Sequence, residues 1–381
     1  MEYVSCRGVY HPDEERVEGS VLELADGRVR AVREDVPDGA DPVVDVDAYA
    51  LPGLVDAHTH APIRPWEGDQ SGQMRAPAAE QAARAVANLG RDLAAGTTTA
   101  RLMGCEDRLD VHLRAAARAG EFDAPRLHVC GGHLTPTAGH GGAGTTTDGE
   151  AAIRERIRGN VAAGADHVKY FATGGVSSTS GGLDRAPYSR AEVDAIVDEA
   201  HRQGLPVAAH AHGGPGARDA VEAGVDTIEH AALLERDLVE TLAADGRHVV
   251  GTFSLLFDED GIEAGDADSA AVMAKLREAR AAVRDVWADV LDTDVPVALG
   301  TDSMHGRLPR EVTHLVELGA TPERALRAVT SEAARALGAD DVGHLREGAR
   351  ADVVLVAADP REEPGTLADP VAVVRDGEVV A

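Results

Sequence analysis

Residues 51–60 read Leu51-Pro52-Gly53-Leu54-Val55-Asp56-Ala57-His58-Thr59-His60, an apolar run that closes on His-x-His. Side chains of a β-strand alternate between its faces, so His58 and His60 point the same way at successive depths. Two imidazoles one strand repeat apart can bind one metal ion. A lone His-x-His also arises by chance, so its meaning rests on what the rest of the chain sends to the same face.

Outward from that strand, short β-rich runs alternate with longer helical patterns over residues 50–340, which predicts parallel strands joined by crossover helices. Eight strand segments are expected, at 54–60, 97–103, 126–131, 167–173, 206–212, 227–231, 248–254 and 295–302. Links entering the strands are short, and several place glycine where a helix ends, as in Ala163-Gly164-Ala165 and Ala223-Gly224-Val225. Links leaving the strands are long at 61–77, 131–149, 174–188 and 255–268, the layout of a catalytic face. The expected fold class is α/β, a (β/α)8 barrel over residues 51–340. Hairpin patterns around Asp26-Gly27 and Asp376-Gly377, with a short strand at 351–357, predict a small flanking β-sandwich made from residues 1–50 and 341–381.

Composition narrows the function classes. The net charge is −29, from 66 acidic and 37 basic residues, and only Lys169 and Lys275 among the basic residues are lysine. Such a surface repels phosphate backbones, so no nucleic-acid partner is expected. No apolar run approaches the roughly 18 residues that span a bilayer, and no export signal opens the chain, so no membrane partner is expected. Cys6, Cys105 and Cys130 form no CxxC pair or disulfide framework, which fits reduced thiols in the cytoplasm. A small-molecule substrate is the expected partner. Homo-oligomerisation stays open.

Four further residues close strands on the same side. His210 ends the fifth segment, His230 the sixth and Asp302 the eighth. Taken singly, each histidine is equally a hydrogen-bonded rim residue and Asp302 a helix cap. Lys169 is less ordinary, because it interrupts an apolar strand, His167-Val168-Lys169-Tyr170-Phe171, in a chain almost without lysine. A snorkelling or salt-bridged lysine is one reading. The other is a neutral amine carboxylated by CO2, whose two oxygens bridge two metal ions. Desolvating an ammonium is costly, which favours the second.

These motifs, LPGLVDAHTH, VKYFATGG, AAHAHG, TIEHA and LGTDS, resemble in order and spacing the amidohydrolase superfamily, in the branch of binuclear Xaa-Arg/Lys dipeptidases and prolidases. The resemblance implies two divalent ions, most simply zinc. It puts His58 and His60 on the more buried ion, His210 and His230 on the outer one, a carbamate on Lys169 bridging both, and Asp302 on the buried ion. It implies hydrolysis of an amide bond in a dipeptide or N-acyl amino acid, with hydroxide as nucleophile and Asp302 as base, then acid. His140, in the glycine-rich loop after the third strand, resembles a histidine that assists the substrate carbonyl; His133 is a weaker candidate. His212 stands where prolidase-like relatives tend to carry tyrosine. Arg218, eight residues after His210, matches an arginine that grips a substrate α-carboxylate, although a surface ion pair with Asp219 or Glu222 would equally explain it. Hydrolysis of another amide, a lactam or an ester, imidazolonepropionase-like chemistry included, is the alternative. A non-catalytic metal-binding scaffold is a third reading.

Overall fold

A computed structural model describes residues 1–142, 145–179 and 181–381; residues 143–144 of the 131–149 loop and residue 180 of the 174–188 loop lie outside that description. Each expected strand segment carries a strand: β1 (Leu54–Thr59), β2 (Thr97–Leu102), β3 (Arg126–Val129), β4 (Val168–Phe171), β5 (Val207–Gly213), β6 (Thr227–Leu233), β7 (His248–Gly251) and β8 (Val297–Leu299). All pairings among them are parallel, in a three-stranded sheet β3-β2-β1 and a five-stranded sheet β4-β5-β6-β7-β8. The ladders therefore do not run unbroken around a ring. Backbone bonds nevertheless cross both seams. Leu134 N–H donates to Lys169 O at 2.9 Å, and Asp302 N–H donates to His58 O at 2.8 Å.

The crossover helices follow from apolar spacing. Along Ala270–Leu291 the buried positions Val272, Leu276, Ala279, Val283, Trp287 and Val290 recur three or four residues apart and form one stripe. Trp287 meets Phe253 edge to face at 4.7 Å between ring centroids. Helices Gly149–Ala163 and Gly214–Ala223 end on Gly164 at φ 88° and Gly224 at φ 93°, left-handed positions that let the chain turn directly into the next strand.

The ends fold together as two further sheets. The hairpins turn at Asp26 (φ 53°) and Gly27 (φ 68°), and at Asp376 (φ 50°) and Gly377 (φ 88°), the paired left-handed residues of a tight two-residue turn. Tyr49–Pro52 pairs parallel with Gly8–His11 and antiparallel with Val353–Val356, so both chain ends share one six-stranded sheet. That strand straddles the border expected at residues 50 and 51. Val4, Leu22 and Leu24 of the second, four-stranded sheet join Val9, Ala50, Val353 and Leu355 in one buried apolar cluster. The three cysteines are buried and unpaired. Among the described residues no helix is long and apolar enough to cross a membrane.

Candidate metal centre and its cavity

The ends of β1, β4, β5, β6 and β8 converge. His58, on β1, is fully buried, with its ring centroid 5.6 Å from that of His60 and 4.7 Å from that of His230. His210 lies 4.6 Å from His230 by the same measure. Asp302 Oδ1 is 3.4 Å from His58 Nε2 and 3.8 Å from His60 Nε2, while its Oδ2 is 3.9 Å from His230 Nδ1. His58, His230 and Asp302 each offer one ligand atom within 4.8 Å of the others.

The decisive feature is what these side chains lack. His58 Nε2, His60 Nδ1 and Lys169 Nζ are buried without a hydrogen-bond partner among the described residues. Orphaned buried polar atoms are costly, so three of them gathered beside a carboxylate make this cluster the candidate site for a bound ion. The remaining nitrogens are fixed from behind. His58 Nδ1 donates to Glu229 Oε2 at 2.7 Å, His210 Nε2 donates to the Gly174 carbonyl at 3.1 Å, and His230 Nδ1 lies 2.8 Å from Thr252 Oγ1. Each of these rings thus keeps one nitrogen for a ligand, the arrangement metal-binding imidazoles use.

Electrostatics point the same way. Burial holds His60, His210 and His230 well below the ordinary histidine range, so all three are neutral donors at pH 7. Burial likewise brings Lys169 down to about 8, although Glu229 and Asp302 pull upward. For Asp302 burial pushes upward too, but His58, His60 and Lys169 together outweigh it and the group stays a carboxylate.

Two residues of this site were not singled out from sequence. Glu229 is fully buried; burial would raise it, yet the Arg101 guanidinium and the His58 bond hold it down at about 2. Arg101 on β2 donates to Glu229 Oε1 at 2.9 Å and to the Ala57 carbonyl at 2.6 Å. By strict alternation Glu229 and His230 point to opposite faces of β6. They do not, because His230 and Ala231 adopt φ 73° and 53°. Asp302 (φ 43°) and Ser303 (φ 78°) repeat this at the end of β8. Non-glycine residues held left-handed are strained, and four of them sit at the two strand ends that carry His230 and Asp302. Arg101 carried a visible signal, a charged residue within the β-run Thr97-Thr98-Thr99-Ala100-Arg101-Leu102.

Above the cluster opens a cavity of about 680 Å³, mouth included, whose lining includes His60, His140, His210, His212, His230 and Asp302. His140 is half-buried, 4.6 Å from the His210 ring, and burial brings it down to about 3. A side chain at Gly175 would collide with the His140 ring, so glycine there lets the two loops lie against each other. His212, brought down by burial to about 4, faces the cavity beside His210, with ring centroids 4.9 Å apart. His133 instead reaches the Gly141 carbonyl with Nε2 at 3.0 Å and fastens the glycine-rich loop. Arg218 is not brought to the cavity. Its guanidinium binds both oxygens of Asp237, at 2.8 and 3.3 Å, and is 41 % exposed.

Residues 49–381 match the Amidohydrolase family. This chain belongs to that family, whose relatives named below include hydrolases of amide bonds, and it is an enzyme of that kind. It is 29 % identical over 359 residues to an ochratoxinase of Aspergillus niger, covering 85 % of this chain and 73 % of that one. It is 31 % identical over 377 residues to an uncharacterised protein of Mycobacterium tuberculosis, covering 97 % and 94 %. Its fold matches a Xaa-Pro dipeptidase solved with methionine in its active site, at a TM-score of 0.90 and 25 % identity over 99 % of both chains.

Proposed function

We propose that this chain is a metal-dependent hydrolase of amide bonds, acting on a dipeptide or an N-acyl amino acid. The eight parallel strands are read as a closed (β/α)8 barrel of residues 51–340, flanked by a β-sandwich of residues 1–50 and 341–381. The observation that carries the function is the set of orphaned buried atoms, His58 Nε2, His60 Nδ1 and Lys169 Nζ, beside a carboxylate held ionised at the cavity floor.

His58, His60, His210, His230 and Asp302 would hold two divalent ions, with Lys169 between them as a carbamate. The imidazole-rich donor set suits zinc. Ions at such a site supply a water acidified to near neutrality and a Lewis acid for the substrate carbonyl. The chain does the rest. A pKa of about 8 leaves Lys169 partly unprotonated near neutral pH, so its nitrogen can form an N–C bond to CO2 with loss of one proton. Glu229, ionised against Arg101, fixes the His58 tautomer. Asp302 takes the proton of the attacking water and returns it to the leaving nitrogen. His140, neutral and lining the cavity, donates a hydrogen bond to the substrate oxygen as charge develops there. Three buried free thiols fit a reducing cytoplasm.

The test is a panel of dipeptides and N-acyl amino acids offered to protein of measured metal content, before and after chelation. Release of free amino acid that stops on chelation and returns with zinc is the expected result. A fully metallated protein inert toward the whole panel would defeat this reading.

A further inference from the structure

The cavity walls have a different chemistry from its floor. The floor is imidazole and carboxylate. The walls are Ile63 and Met74 from the segment after β1, Val176 from the segment after β4, and Leu255, Leu256 and Ile262 from the segment after β7. Five of these six are 6 % exposed or less. Neither lysine nor arginine is among the described lining residues, in a chain with 35 arginines. The cations that come near are committed elsewhere or face another hollow. Lys275 donates to the Gly175 carbonyl at 2.8 Å and to Ser178 Oγ at 3.0 Å. Arg218 is held by Asp237. Arg185 borders a separate hollow that shares only His140 with the main cavity. Two polar lining groups outside the proposed ligand set are unused: Gln70 Nε2 on the wall and His212 Nδ1 beside the floor are buried and have no partner among the described residues.

We infer that the substrates of this chain are amides carrying a bulky uncharged group, seated against Leu255, Leu256 and Ile262, with the Gln70 carboxamide donating a hydrogen bond to a neutral substrate oxygen. A free carboxylate adds nothing to recognition. This inference rests on the amide-hydrolase reading for the reaction and on the cavity walls for the substrate class. The physical reasons are two. Burying a leucine-sized group against such walls favours binding on the order of 10- to 100-fold. A charge carried between them loses its hydration, and the one charged side chain among the described lining residues, Asp302, is committed to the cluster at the floor.

The experiment compares N-acetyl-leucine, N-acetyl-phenylalanine, N-acetyl-aspartate and N-acetyl-arginine, each as free acid and as C-amide, on metal-loaded protein. The apolar members should exceed the charged ones in kcat/KM by about 10- to 100-fold. Acid and amide of each apolar pair should agree within about three-fold, since neither lysine nor arginine is among the described lining residues to grip the carboxylate. Leu256→Arg should create a preference for the acids, and Gln70→Leu should raise KM for the apolar members with little change in kcat. A strong preference for free acids in the unmutated enzyme, abolished by Arg185→Met, would overturn the inference. Calorimetry provides a readout without turnover. The uncharged 3-phenylpropanol should bind at least ten-fold more tightly than the cationic 3-guanidinopropanol, and Leu256→Arg should erase the difference. If phenylpropanol binds selectively but no substrate is cleaved, the hydrolase reading falls and the pocket inference stands. If apolar and charged substrates are cleaved alike, or both alcohols bind alike, the pocket inference falls and the hydrolase reading stands.

Discussion

At Lys169 the cost of burial sets the chemistry. A lysine with no exposed surface and an unpartnered Nζ is tolerable only if its amine is neutral or chemically altered, and burial has already brought it down to about 8. Lys169→Ala should therefore lose bound metal and activity together, with partial recovery in millimolar short-chain carboxylic acids that replace the bridging oxygens. Crystals of the metallated protein with density ending at Nζ would refute carboxylation. Behind the cluster, Glu229 turns His58 and is itself held by Arg101. Glu229→Gln keeps the shape but weakens the acceptor, so metal affinity should fall about 10- to 100-fold, measured by competition with a chelator. The two residues differ in legibility for a physical reason. Lys169 stood out in the sequence because its charge contradicts its apolar strand. Glu229 did not, because strand alternation assigns it away from the site, and only the left-handed φ of its neighbour His230 allows both to face inward.

At the scale of elements, periodicity and turn chemistry carried most of the reading. All eight strands begin on the expected segments, with β5 and β6 running one and two residues past them, and both terminal hairpins turn at their Asp-Gly pairs, since these features depend on neighbours close in sequence. Pairings between elements are a different matter. Arg218 matched a carboxylate-binding position by spacing alone, but its partner Asp237 lies in the first turn of the helix Arg236–Asp245, which one-dimensional spacing cannot place beside it. Arg218→Met should accordingly leave kcat/KM within about two-fold for any substrate, as expected of an exposed ion pair; a loss of ten-fold or more confined to free acids would restore its substrate role. Another inter-helix pair governs acid stability. Glu199, on Arg190–Arg202, accepts two hydrogen bonds from Arg158 at 2.7 and 2.9 Å and one from Arg154 at 3.0 Å, both on Gly149–Ala163. The Arg158 bonds, against burial, hold its carboxyl down at about 2 from an ordinary 4.5. A depressed acid stabilises the fold above its unfolded pKa and loses that contribution as pH falls through its folded pKa. Glu199→Gln should then destabilise by about 1–3 kcal/mol at pH 7, limited because Arg158 is 60 % exposed, and the difference from the parent should shrink between pH 4.5 and 2. A gap independent of pH in denaturant titrations would show the pair to be inert.

Over the whole molecule, a net charge of −29 makes self-repulsion a standing cost, and the cluster at the strand ends adds a second one. The first is screened by salt, so the midpoint of thermal unfolding should rise between 0.05 and 1 M KCl, the range over which the Debye length falls below about 10 Å. On the proposed function, the second is relieved by metal. His58, Lys169, His210 and His230 lie on β1, β4, β5 and β6, and Asp302 follows β8, so ions bound to them tie both parallel sheets together. The unfolded chain presents no such constellation, and ligand that binds only the folded state stabilises it by RT ln(1 + [L]/Kd), about 4 kcal/mol at a thousand-fold excess over Kd. With an unfolding entropy of about 2.1 cal/mol/K per residue, a chain of 381 residues shifts by roughly 1 °C per kcal/mol, so stripping the metal should lower the unfolding midpoint by about 5 °C, and returning zinc should restore it. His212→Ala, which removes a cavity-lining imidazole outside the proposed ligand set, should leave that metal-dependent shift in place, whereas His230→Ala should reduce it by removing a ligand of one ion. The measurement is a thermal melt of metal-free and zinc-loaded protein, each with metal content determined. Equal midpoints for fully stripped and fully loaded protein would mean that the orphaned atoms are satisfied in some other way, and the metal centre would have to be abandoned.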